Sequence, residues 1–123
     1  MRQENVQYFT DKEEEFVNLL IDIGTARKVA MVLVFLANTP ETTSRGIERG
    51  TDLRQPEVSL AMKYMMDRGW IKTHESSAAS KGRPVKIYEL SMPISKIMDC
   101  IENEKKDEAR NQLALVKKMK DYI

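Results

Sequence analysis

A guanidinium, a carboxamide and a carboxylate fall within four residues in Arg54-Gln55-Pro56-Glu57, and Ser59 and Lys63 follow at the next turns. Arg offers a fixed fork of donors, Gln a donor beside an acceptor, and Glu acceptors only, so the set can meet planar hydrogen-bonding edges of either polarity. Such side chains need one rigid support. Pro56 suits a first helical turn, where a missing N–H costs nothing, and Gly69 suits the left-handed residue just past a helix end. Val58, Ala61, Met62 and Met65 recur at helical spacing as one apolar stripe, with Arg54, Gln55, Glu57, Ser59 and Lys63 off it. A helix with one buried side and a polar leading end is what a recognition helix needs. It also fits an ordinary amphipathic surface helix, so the flanking elements have to decide.

Little else in the chain could carry chemistry. The glycines form neither G-x-G-x-x-G nor G-x-x-x-x-G-K, and Glu13-Glu14-Glu15 lies in the first turns of a helix, where acids suit the dipole. His74 stands alone on a predicted strand and reads as a structural or surface histidine. Cys100 is the single cysteine, which excludes an intrachain disulfide and, with one histidine, a cysteine and histidine zinc set. It reads as a small buried apolar residue, and the eight methionines as adaptable core filling. The expectation is a protein with no catalytic residues, no metal ligands and no cofactor.

The supporting elements can be placed by their punctuation. Thr10 and Glu13 make a capping box for a first helix carrying Phe16, Leu19, Leu20 and Ile23 on one face, stopped by Gly24. A second helix from Thr25 to about Ala37 carries Ala26, Val29, Ala30, Leu33, Leu36 and Ala37, with Val32 and Phe35 on its flanks. Apolar around most of its circumference, it should be the centre of the core. Asn38-Thr39-Pro40-Glu41 breaks the pattern, and Thr42, Thr43 or Ser44 can cap a short helix anchored by Ile47 and ended by Gly50. A short helix, a Gly-containing turn pinned by Leu53, and an amphipathic helix are the elements of a helix-turn-helix.

After Gly69 the period changes to two. Residues 70–75 and 85–90 read as strands joined by Ser76-Ser77-Ala78-Ala79-Ser80-Lys81-Gly82-Arg83-Pro84, a polar loop with a basic tip. The loop is a wing, and Lys81, Arg83 and Lys86 lie where a hairpin following a recognition helix meets a phosphate backbone or minor groove. From Met92-Pro93 the chain is helical almost to its end. Ile94, Ile97, Met98 and Ile101 form one stripe, a charged run from Glu102 to Glu108 interrupts it, and Ala109, Leu113, Val116, Met119 and Ile123 resume it. One helix or two would fit. This stripe either packs back on the first helix or meets its own copy across a two-fold axis, and the second is favoured.

Composition sets the outer bounds. With 123 residues, 41% hydrophobic and 32% charged, the chain is one domain's worth with a helix-leaning make-up. No apolar run reaches a membrane span and the first residues lack the apolar core of a signal peptide, so a cytoplasmic protein without membrane contact is expected. Net charge is +1, with 9 Lys and Arg against 7 Asp and Glu in residues 41–90. So small an excess means that affinity for a polyanion must rest on well-placed contacts and on two copies of the domain.

Three stretches carry a family likeness. Thr43-Ser44-Arg45-Gly46-Ile47 leads to Leu53-Arg54-Gln55-Pro56-Glu57-Val58-Ser59; Met62-Lys63-Tyr64-Met65-Met66-Asp67-Arg68-Gly69-Trp70-Ile71 joins helix to hairpin; Lys81-Gly82-Arg83-Pro84-Val85-Lys86-Ile87-Tyr88-Glu89-Leu90 forms the wing. Over residues 16 to 90 this order resembles winged helix-turn-helix transcriptional regulators of the MarR, TrmB and ArsR type, particularly small archaeal-like members. The wing lacks the Asp-x-Arg pattern frequent in MarR proteins, the ArsR metal-binding cysteines are missing, and the sugar-binding extension of larger TrmB proteins does not fit. The resemblance implies a mainly α fold with a small β-hairpin. Residues 1–91 would be a DNA-binding domain and residues 92–123 a helical segment for dimerisation.

On that footing double-stranded DNA is the expected partner and a homodimer the expected state. A small-molecule effector would have no visible signature. Arg54 can pair with guanine, Gln55 with adenine, and Glu57 can accept from cytosine; Pro56 either contacts a thymine methyl or simply starts the helix. Ser59, Lys63, Thr43, Ser44 and Arg45 suit phosphate oxygens. Arg83 is the wing contact, supported by Lys81 and Lys86. A pseudo-palindromic operator follows, and repression by blocking a promoter is the simplest consequence. The alternative is a winged-helix module for protein assembly, against which the polar start of the recognition helix counts; a sensor acting through Cys100 or methionine is a third option.

Overall fold

In the computed structural model, which describes residues 9–76 and 84–123, capping chemistry sets the first element. Thr10 Oγ1 accepts from the Glu13 N–H at 3.1 Å, and the Thr10 N–H donates to Glu13 Oε1 at 2.9 Å. They start α1 (Asp11–Asp22). It buries Val17 and Leu20, whereas Leu19 is 59% and Ile23 46% exposed, so the packed face is turned from the one expected. Gly24, at φ 114°, closes the helix, and the Thr25 N–H bonds back to the Leu20 carbonyl. Thr25 is thereby spent on the closing turn, and α2 (Arg27–Ala37) starts two residues later than the sequence suggested.

Six residues of α2 are buried: Val29, Ala30, Val32, Leu33, Val34 and Leu36. It touches α1, α3 (Ser44–Thr51), α4 (Gln55–Asp67) and β2 (Val85–Leu90), which makes it the centre of the core. Thr43 Oγ1 caps α3 by accepting from the Gly46 N–H. The helix does not stop at Gly50 as expected; it ends at Asp52 in the left-handed region, φ 60°. Gly50 lies inside α3, where an added Cβ would fall on the Phe35 ring, so its role is close packing against α2. Buried Thr51 satisfies its hydroxyl on the Ile47 carbonyl at 2.7 Å.

The stripe Val58, Ala61, Met62 and Met65 is the buried side of α4. Gly69, at φ 77°, turns the chain out of that helix, and the Trp70 N–H returns to the Met65 carbonyl. Strands β1 (Ile71–Ser76) and β2 pair antiparallel from Ile71 opposite Leu90 to Ser76 opposite Val85. Thr42 adds an isolated bridge to Tyr88, with two backbone hydrogen bonds of 2.7 and 3.1 Å. The hairpin is thus fastened to the segment entering α3.

The chain divides into two compact units between Ser91 and Met92. The second is one continuous helix, α5 (Ile94–Lys120). Ile97 and Ile101 are buried, and no residue after Ile101 is. Among the described residues no helix is long and apolar enough to cross a membrane.

Candidate nucleic-acid interface

Because α4 spends one side on the core, its other side faces solvent as a fixed array. Pro56, Ser59, Leu60, Lys63 and Asp67 lie along it. Between α4, the start of α3 and β2 runs an open cleft of about 370 Å³ lined in part by Ser44, Gln55, Ser59, Lys63 and Tyr88, with Met62 and Met66 on its wall. Four residues chosen from sequence, Ser44, Gln55, Ser59 and Lys63, therefore share one surface. Gln55 Nε2 donates to Ser59 Oγ at 2.7 Å, which fixes the carboxamide against the helix. Lys63 Nζ lies 3.4 Å from Asp67 Oδ2, an exposed pair one turn apart.

Arg54 is the N-cap of α4 and exposed. Its side chain has no acceptor, so it cannot cap the helix, and the guanidinium is left to other partners. Capping comes instead from Glu57, whose Oε1 accepts the Arg54 N–H at 2.9 Å while Oε2 lies 3.5 Å from Lys28 Nζ on α2. The hydrogen bond from Arg54, reinforced by Lys28, outweighs slight desolvation and holds the Glu57 carboxyl below its ordinary range. Glu57 is thus occupied by its own domain, on the flank of α4 away from the cleft.

The hydroxyl of Thr43 is likewise taken, by its cap, and Ser44 Oγ donates to Glu48 Oε2 at 3.4 Å. Arg45 is exposed in the first turn of α3. Lys86 is exposed on β2, opposite Glu75. Lys81 and Arg83 lie outside the described residues.

Leu60, 67% exposed on the outward side of α4, was not singled out from sequence; Tyr64 (39%) and Met66 (45%) are also open. The signal was present, since each is an apolar residue off the buried stripe. Arg68 lies over the rings of Tyr64 and Trp70, at 4.4 and 5.4 Å from their centroids, so part of that aromatic surface is covered by a cation.

No family model and no curated protein matches the chain. Solved structures do. TrmBL2, an archaeal chromatin protein whose structure shows a mode of DNA binding, superposes with a TM-score of 0.69 at 14% identity, over 89% of this chain and 40% of that one. A possible transcriptional regulator from Methanosarcina mazei Go1 gives 0.58 at 16% identity, over 81% and 85%. A MarR family transcriptional regulator from Silicibacter pomeroyi DSS gives 0.54 at 15% identity, over 81% and 64%. This chain thus spans less than half of the TrmBL2 chain. Mainly helical, with a two-stranded hairpin after the second helix of its helix-turn-helix, the chain has the winged helix-turn-helix fold seen in these proteins.

Proposed function

We propose that the protein is a sequence-specific binder of double-stranded DNA that regulates transcription as a homodimer, with α4 in the major groove and the hairpin against the backbone or minor groove. The observation that carries this reading is the convergence of Ser44, Gln55, Ser59 and Lys63 on one open surface, beside exposed Arg54. Helix α4 is held by its buried stripe, so these groups meet a duplex as a preset pattern rather than as loose side chains. Arg54 and Gln55 read base edges, Leu60 supplies the apolar contact that suits a thymine methyl, and Ser44, Arg45, Ser59 and Lys63 take phosphates. Glu57 is withdrawn from base reading in this scheme, because leaving Lys28 and the helix cap would cost it two interactions. The regulators that share the fold support the assignment, and blocking a promoter is the simplest way such a dimer would act.

Dimerisation is assigned to α5. Leu113, Val116 and Met119 recur every three residues along the helix with 45% or more of each exposed, and exposed Ile123 follows just past its end, a stripe that a second copy of the helix would cover. Two domains joined there would present two α4 helices to half-sites about one helical turn apart.

A second reading, a winged helix that docks protein, draws on Leu60, Tyr64 and Met66, which give α4 the exposed apolar anchors that a docking helix uses. Selection from a random duplex library at two salt concentrations separates the two. A preferred sequence bound more weakly at the higher salt is expected; binding with neither sequence preference nor salt dependence would defeat the DNA reading.

A further inference from the structure

The one histidine of the chain acquires two carboxylate neighbours through the sheet. Register places His74 opposite Ile87 and Lys72 opposite Glu89, so His74 and Glu89 are diagonal neighbours on one face of the hairpin. On the far side of β2, the bridge between Thr42 and Tyr88 sets Glu41 beside Glu89. One ligand atom from each of Glu41, His74 and Glu89 can be chosen so that all lie within 4.8 Å of one another, and His74 Nδ1 lies 3.6 Å from Glu89 Oε2.

Two carboxylates side by side on adjoining extended segments repel, and a cation between them relieves the repulsion. Zinc binds imidazole nitrogen and carboxylate oxygen at about 2.0–2.2 Å, so two ligands of one ion stand roughly 3–4 Å apart, the separation that His74 and Glu89 already have. A carboxylate oxygen of Glu41, within 4.8 Å of both other ligand atoms, supplies the third. One nitrogen with carboxylate oxygens suits borderline transition metals, whereas magnesium and calcium prefer all-oxygen shells. Three protein ligands leave a position open to water, in keeping with the exposure of the site: the His74 side chain is 48% and that of Glu89 25% accessible.

We propose that Glu41, His74 and Glu89 form a site for a borderline divalent cation of the Zn²⁺ class at the root of the wing. The three ligands come from the segment entering α3, from β1 and from β2, so one ion ties both wing strands to the helix-turn-helix. Occupancy would fix the hairpin, and Lys86 with it, relative to α4. Lys72, opposite Glu89, opposes cation entry and tunes affinity downward. Metal binding at this site stands independently of the DNA reading; only the effect of the ion on DNA affinity rests on it.

Calorimetric titration of the full chain, freed of metal by a chelator, with Zn²⁺ and separately with Mg²⁺ tests the site. Saturable binding of one Zn²⁺ per chain is expected, with a rise in melting temperature and no comparable binding of Mg²⁺. His74→Ala and Glu41→Gln, both at exposed positions, should each weaken Zn²⁺ binding at least about 10-fold, Cys100→Ser should leave it unchanged, and Lys72→Ala should tighten it. Equal Zn²⁺ affinity in wild type, His74→Ala and Glu41→Gln would overturn the proposal, as would no saturable Zn²⁺ binding. If Zn²⁺ binds with this pattern while no duplex is bound, the metal site holds and the DNA reading fails.

Discussion

Two helices of this protein carry many apolar residues and use them differently. In α2, Ala30, Val32, Leu33 and Val34 have no accessible surface, and the helix touches four other elements. In the C-terminal half of α5, Leu113, Leu115, Val116 and Met119 are 45% to 68% exposed. The same residue types are thus spent on the core in α2 and left exposed in α5. Pattern alone does not distinguish the two uses, because a stripe at three and four spacing records only that something covers it.

Substitution should separate them sharply. Leu33→Ala is expected to cost about 2–5 kcal/mol in urea unfolding, as a fully buried leucine leaves a cavity, whereas Leu113→Ala should change the stability of the monomer by no more than about 0.5 kcal/mol. Similar costs at the two positions would erase the distinction. The double variant Leu113→Glu, Val116→Glu places like charges on the proposed seam and should sediment as a folded monomer while wild type sediments as a dimer. A wild-type monomer, or a charged variant that still dimerises, removes α5 from the dimer interface.

Smaller effects test the contacts around α2. Gly50→Ala drives a methyl into the Phe35 ring, and a loss of about 1–3 kcal/mol is expected from overpacking. A neutral effect would mean that the Phe35 ring moves aside and that the packing does not require glycine there. Smallest is the exposed link from Glu57 to Lys28. Since the folded-state pKa of Glu57 is lowered, its contribution is present at neutral pH and is lost as pH falls below its ordinary value of 4.5. Glu57→Gln should therefore lower stability slightly at neutral pH and converge on wild type as pH falls below 4.5, which flattens the acid limb; an unaltered acid limb would show that the contact does not form in solution.

Much of this architecture can be read from the chain because its punctuation is local. Thr10 with Glu13, Thr43, Pro56, Gly24 and Gly69 each act within a turn of where they stand, and the stripe of α4 is a property of one helix. That Gln55, Ser59 and Lys63 share one exposed surface is legible for the same reason. What stayed hidden depends on partners distant in sequence. Glu57 is diverted by Lys28, Gly50 is dictated by Phe35, and His74 meets Glu41 only because Thr42 bridges to Tyr88. Leu19 and Ile23 share a helical stripe with Phe16 and Leu20, yet the buried face centres on Val17 and Leu20, since helical spacing gives a stripe without fixing which of two adjacent stripes is covered.

The central claim is that α4 divides base reading from phosphate contact between Arg54 and Lys63. Duplex affinity measured across a salt series for wild type, Arg54→Ala and Lys63→Ala, on the selected site and on its single-base variants, tests it most directly. Lys63→Ala should weaken binding to every sequence alike and reduce the salt slope by about 1, while Arg54→Ala should cost about 1–3 kcal/mol on the selected site and relax preference at one base pair. Both variants indistinguishable from wild type, or an Arg54→Ala protein that keeps the full sequence preference, would contradict it.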